Sequence, residues 1–114
     1  MEPKTKRRKL EDFNIIKRDD LNISSKTIFT VDKCRELFCN LEKELEYLTG
    51  DLATVKVFGK VYDIPRKQAA YGDDGVKYRY SGTTIPAKPW TETLSFLRDK
   101  IEEHTGILYN FVLV

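Results

Sequence analysis

The last seven residues, Leu108-Tyr109-Asn110-Phe111-Val112-Leu113-Val114, form a nearly unbroken apolar run. Alternate side chains of a strand point to opposite faces, so a run apolar at both sets of positions is the pattern of a strand buried on both sides. A lone hairpin cannot meet that demand; helices or further strands have to lie over it. Val114 also carries a terminal carboxylate where the pattern asks for burial, which is costly unless the group reaches water. The expectation is that this chain is the front portion of a longer protein.

Two amphipathic segments are available as cover. From Val31 to about Leu48, the residues Cys34, Leu37, Phe38, Leu41, Leu45 and Leu48 recur at helical spacing and make one apolar stripe. Thr30 suits the N-cap, Asp32 the positive end of the helix dipole, and Gly50 the stop, with Glu42, Glu44 and Glu46 facing outward. A second helix is expected to open at Trp90, carry Leu94, Leu97, Ile101 and His104 on one face, and close at Gly106. His104, the one histidine, reads as a capping or surface residue. Cys34 and Cys39 lack metal or redox spacing and read as reduced thiols, Cys34 buried.

Between the helices lies Thr54–Gly82. Val55–Phe58 and Val61–Ile64 are apolar-rich runs separated by Gly59-Lys60, which reads as a tight hairpin with a II′ turn. Its tip is unusual. Val57 and Phe58 sit where polar residues are the rule, and Lys56, Lys60, Arg66 and Lys67 surround them. An apolar wedge ringed by cations suits insertion into a base stack with phosphates held alongside. The alternative is a sheet edge whose apolar residues fold onto a core and whose cations guard against aggregation. Tyr71-Gly72-Asp73-Asp74-Gly75 reads as a turn before a Lys77–Tyr80 strand, and Ile85–Pro89 as a stiff connector.

Net charge is only +2, but residues 54–90 hold seven Lys/Arg against three Asp/Glu, and residues 1–20 seven against five. That distribution fits an electrostatic footprint for nucleic acid. Residues 1–26 read as a disordered basic tail with Lys4, Lys6, Arg7, Arg8 and Lys9 forming a nuclear-import-like cluster, and residues 27–114 as one folded portion. No apolar run has transmembrane length, and no membrane association is expected.

VFGK (57–60), IPRKQAAYGD (64–73), KYRYSG (77–82), AKPW (87–90) and TGILYNFVLV (105–114), in that order, resemble the AlkB family of Fe(II)- and 2-oxoglutarate-dependent dioxygenases, in particular the nuclear DNA-repair branch formed by the second AlkB homologue of animals. The resemblance covers roughly residues 52–114. It implies an α+β fold, the N-terminal part of a double-stranded β-helix (jelly-roll). It implies oxidative demethylation of alkylated bases such as 1-methyladenine and 3-methylcytosine in double-stranded DNA, since a probing finger requires a duplex, with base flipping to expose the lesion. It places Val57, Phe58, Gly59 and Lys60 in the finger, Arg66 and Lys67 beside the DNA, and Tyr78, Arg79, Tyr80 and Ser81 along the damaged-base pocket. Many relatives have Phe where this chain has Tyr80, so the ring is kept and a hydroxyl added.

The same resemblance implies Fe(II) and 2-oxoglutarate as cofactors of the full-length protein. The family's iron ligands and oxoglutarate-binding residues all fall beyond Val114, so no catalytic, cofactor or metal residue is assigned in this chain, and the 114 residues alone are expected to be inactive. A nuclear location, a monomeric state and an import receptor as partner complete the expectation. Two alternatives stand beside it: a non-catalytic nuclear DNA-binding module, and an interaction module working through the 31–48 helix.

Overall fold

The computed structural model describes residues 13–114; the import-like cluster lies outside the described residues. The chain runs β1 (Asn14–Arg18), β2 (Leu21–Ser25), α1 (Val31–Glu44), a 3-10 turn (Gly50–Ala53), β3 (Thr54–Val57), β4 (Lys60–Asp63), β5 (Ala70–Gly72), β6 (Lys77–Tyr80), β7 (Thr83–Pro86), α2 (Glu92–Thr105) and β8 (Phe111–Leu113). Two helices with small antiparallel sheets make an α+β fold. The strands pair as β1–β2, β3–β4, β5–β8 and β6–β7, all antiparallel.

β5 is the centre of the assembly. On one side it pairs with β8, and the ladder continues through Ala69 and Val114, whose backbones exchange two bonds of 2.8 Å. On its other side it meets Lys88 in a parallel bridge, with Gly72 N–H donating to the Lys88 carbonyl and Lys88 N–H to the Ala70 carbonyl, each at 2.9 Å. One face of this sheet carries Ala69, Tyr71, Val112 and Val114. Against it pack Leu41 and Leu45 from α1 and the residue following it, and Leu94 and Leu97 from α2. Tyr71 is buried yet satisfied, since its hydroxyl accepts from Glu46 N–H at 2.9 Å. The alternate face carries Gly72, Phe111 and Leu113 toward β6–β7.

α1 begins as its sequence predicts, whereas α2 opens at Glu92 with Thr91 as its cap, two residues after the Trp90 start expected from the sequence. Thr30 Oγ1 accepts from Lys33 N–H and Thr91 Oγ1 from Leu94 N–H, each at 3.2 Å, and Gly106 closes α2 with φ +74°. The end of α1 is a correction. It stops at Glu44, Leu45 is already extended, and Gly50 instead opens the 3-10 turn at φ +62°. Leaving the helix lets Leu45 and Tyr47 reach the sheet. Of the expected stripe Leu37 is buried, whereas Cys34 and Phe38 are exposed, so the burial expected of Cys34 is also corrected; Cys39, outside the stripe, is exposed too. Glu44 does not face outward. Its Oε1 accepts from Thr93 N–H at 3.2 Å and so ties the end of α1 to the first turn of α2.

Four further expectations change. Residues 13–26 were expected in a disordered tail, but 14–25 form the β1–β2 hairpin, reversing at Asp19-Asp20 with Asp19 at φ +45°. The charged composition masked a short ladder whose Ile16↔Ile23 pair supplies cross-strand contact. Tyr71 and Gly72 belong to strand β5 rather than a turn, and Ile85 and Pro86, expected in the Ile85–Pro89 connector, complete strand β7. The C-terminal strand spans only Phe111–Leu113, because Leu108 and Tyr109 are exposed; Leu113, at 40% exposure, is not buried on both faces either.

Candidate nucleic-acid interface

In β3–β4 the register pairs Val57 with Lys60, so the two-residue link is Phe58-Gly59, one residue earlier than the II′ reading. Both link residues have positive φ, +48° and +80°, which is a type I′ turn. The right-handed strand twist favours that turn, and the one-residue slip decides where Phe58 goes. Paired with Val61, as the II′ reading implies, its ring would lie on the ladder; in the turn it projects from the tip with 103% relative exposure. A left-handed conformation costs a non-glycine residue about 1–2 kcal/mol, so the tip holds a bulky ring in a strained position and in water. Val57 is 43% exposed beside it, and Gly59 and Lys60 are exposed too.

The β6–β7 hairpin is built the same way, with Ser81 at φ +48° and Gly82 at +79° in the link. Tyr78 and Tyr80 alternate onto one face with Thr83 and Ile85 opposite them. The Tyr80 and Tyr78 rings are 6.4 Å apart at 6°, and Tyr78 continues to Phe111 at 5.6 Å and 17°. These three rings form one row. Arg66, Thr54, Val55 and Leu113 complete a cleft along it, at the base of β3–β4. The space inside is about 20 Å³, enough for about one water. It is a floor rather than a closed base pocket, and Tyr80, 55% exposed, is its accessible end.

The site residues read from the sequence therefore separate into five places. Val57, Phe58, Gly59 and Lys60 stand together at the finger tip, and Arg66, Tyr78 and Tyr80 share the cleft. Arg79 is not on the pocket side: it lies across from Thr84 on the opposite face of β6, with Lys77, and this corrects its expected place. Lys67 turns from the cleft toward the segment after α1, its Nζ 5.5 Å from the centre of the Tyr47 ring. Ser81 is in the exposed hairpin link. Phe111, the third ring of the row, escaped sequence reasoning, because its run is apolar throughout and carries no signal for which face meets Tyr78.

Electrostatics divide the molecule. Lys33–Glu36, Arg35–Asp32, Arg98–Asp99 and Lys100–Glu103 are ion pairs on the helices, and Lys88 pairs with Glu46 at 2.8 Å. That hydrogen bond and the Lys88 charge hold the Glu46 carboxyl below its ordinary value. Among the described residues, Lys56, Lys60, Arg66, Lys77 and Arg79 have no carboxylate partner. Among the described residues, Lys43 excepted, the helix cations are paired, whereas those of the β3–β4 and β6–β7 hairpins, like Lys17 and Arg18 of β1, are open. No group of three or more His, Cys, Asp or Glu side chains among the described residues could hold a metal ion.

No family model matches the chain. Over most of its length, however, it is similar to curated DNA oxidative demethylases, and it belongs to the AlkB family. It is 46% identical over 99 residues, 87% of its length, to DNA oxidative demethylase ALKBH2 of Bos taurus and likewise to that of Homo sapiens. Identity to the Mus musculus protein of the same name is 43% over 106 residues, 93% of the chain. The chain spans 36%, 38% and 44% of the length of these three relatives.

Proposed function

We propose that this chain supplies the DNA-engaging surface of an oxidative demethylase that repairs alkylated bases, 1-methyladenine and 3-methylcytosine, in duplex DNA. In this reading the chain is the N-terminal part of a double-stranded β-helix enzyme, monomeric and nuclear, carried in by an import receptor through Lys4, Lys6, Arg7, Arg8 and Lys9. The observation that carries it is the finger tip. A fully exposed Phe58, strained at φ +48° and flanked by Val57 and unpaired Lys60, has no packing role. A core-packed sheet edge would bury that ring, so the edge-guard alternative loses its basis.

The physical sequence of events follows from this geometry. Lys56, Lys60 and Arg66 draw the phosphate backbone to the hairpins. Phe58 and Val57 then wedge into the stack and offset part of the cost of unstacking, a few kcal/mol per base step, by apolar contact with neighbouring bases. A displaced base meets Tyr80 as the accessible ring of the row, where stacking is worth about 1–3 kcal/mol. Arg66 in the cleft favours an electron-rich base edge or the flipped nucleotide's phosphate.

In the family, Fe(II) and 2-oxoglutarate supply the oxidation. The described residues do not fit those groups: no metal-binding cluster forms among them, and the whole sequence holds one histidine. No step through iron is assigned to these residues; their part is recognition. A second reading, a DNA-binding module without chemistry of its own, uses the same surface. Formaldehyde release from a methylated duplex in the presence of Fe(II) and 2-oxoglutarate separates the two.

The finger is tested with a duplex carrying 2-aminopurine beside a 1-methyladenine. Binding of the 114-residue chain should raise the fluorescence as the base unstacks, and Phe58→Ala should abolish the rise while leaving most of the affinity. An equal rise with the variant would remove Phe58 as the wedge.

A further inference from the structure

The cleft uses one face of the β6–β7 hairpin. The opposite face holds Lys77 and Arg79 on β6, with Thr84 and Pro86 across from them on β7, and all four are exposed. Neither cation has a carboxylate, hydrogen-bond or ring partner among the described residues. On the helices, by contrast, Lys33, Arg35, Arg98 and Lys100 are paired and Lys43 alone is not. A carboxylate directly across the ladder would compensate either cation; here the cross-strand positions are Pro86 and Thr84, which leave the charge open.

Resting on the DNA-binding reading above, we propose that Lys77 and Arg79 form a second phosphate-contact site for duplex DNA, separate from the finger and the aromatic cleft. Residues two apart on a strand are about 6.8 Å apart, a span that lets the two cations reach neighbouring phosphates of one DNA strand, whose through-space separation exceeds the axial rise of about 3.4 Å because the backbone winds around the axis. The β6 backbone thereby separates two tasks. Tyr78 and Tyr80 offer rings on one side, and Lys77 and Arg79 hold a stretch of backbone on the other. Thr84, across the ladder from Arg79, can donate a hydroxyl hydrogen bond to a phosphate oxygen. Because contacts to phosphate carry no sequence information, this site adds affinity and register without selecting a base.

The test is the salt dependence of binding by the 114-residue chain to an unmodified duplex, measured by fluorescence anisotropy between 50 and 200 mM NaCl. Loss of two phosphate contacts removes about 1.8 from the log–log slope. Over that salt range, wild-type affinity should therefore fall about tenfold further than that of Lys77→Ala/Arg79→Ala. The charge-keeping variant Lys77→Arg/Arg79→Lys should retain the wild-type slope, and Lys100→Ala, which removes a paired helix cation, should also leave it intact. Fluorescence of 2-aminopurine should still rise with the double alanine variant, since the finger is untouched. A wild-type slope in the double alanine variant overturns the site while the finger reading stands. Absence of duplex binding by the wild-type chain overturns both. If duplex binding is unchanged but retention on polyglutamate is lost, the face belongs to an acidic protein partner, and the proposal fails.

Discussion

Adding one methyl group at Gly72 should loosen the centre of the fold and the cleft together. Gly72 lies in β5 between β8 and the Lys88 segment, and a Cβ built there would stand 2.6 Å from the Asn110 carbonyl oxygen, 3.2 Å from Phe111 Cα and 3.3 Å from Ala87 Cβ. The first neighbour has to retreat from 2.6 Å to about 3.4 Å before contact becomes ordinary. It is backbone, and it is held there, because the same Asn110 carbonyl accepts from Asp73 N–H at 2.9 Å. Overpacking of this kind costs about 1–3 kcal/mol. Reduced freedom of the unfolded chain returns about 0.4–1 kcal/mol for Gly→Ala. The collision wins, and Gly72→Ala should lose about 1–2 kcal/mol. At a urea m-value of about 1–2 kcal/mol/M, that lowers the midpoint by about 1 M. Trp90, the one tryptophan, is a suitable reporter, since its Nε1–H donates to Asp73 Oδ1 at 2.8 Å, directly after β5. The substitution also displaces Phe111, so the Tyr80–Tyr78–Phe111 row should lose alignment and duplex affinity should fall. A variant as stable as wild type, with the same m-value, would refute the reasoning, because it would mean that β8 does not approach β5 as closely as the geometry requires.

Two further outcomes follow from single residues. Phe58→Asn should stabilise the hairpin by about 1 kcal/mol, since Asn tolerates the left-handed turn position that strains Phe, while abolishing the 2-aminopurine response; urea unfolding and fluorescence read the two effects separately, and a destabilised variant would show that the ring packs on something. Lys88→Ala should raise the Glu46 titration midpoint, followed by carboxyl NMR. Because the folded value is depressed in the wild type, the contribution of this pair is present above the unfolded carboxylate pKa and is lost as pH falls through the folded value; an unmoved midpoint would show that the 2.8 Å pair does not persist in solution.

What the sequence by itself determined is local. Both helices, the Thr30 cap and the Gly106 stop follow from spacing and backbone chemistry within a few residues, whereas the Thr91 cap emerged only with the structure. The 54–63 hairpin and the basic character of its surroundings were legible for the same reason, and five ordered motifs were enough to point to the family. The tertiary structure decided everything that depends on a partner far along the chain. β5 is Ala70-Tyr71-Gly72, unreadable as a strand until β8 and Lys88 lie on either side of it. Phe58 stands at the tip because Val57 pairs with Lys60, a register in which a one-residue slip reverses every side chain. Arg79 lies away from the cleft and Glu44 toward α2 because pleat and packing choose the face, and composition carries no information about that choice. The aromatic row joins residues 78 and 111, which only folding makes neighbours. Periodicity reports which side of an element is apolar; it does not report which element covers it, since that free energy resides in contacts between distant segments.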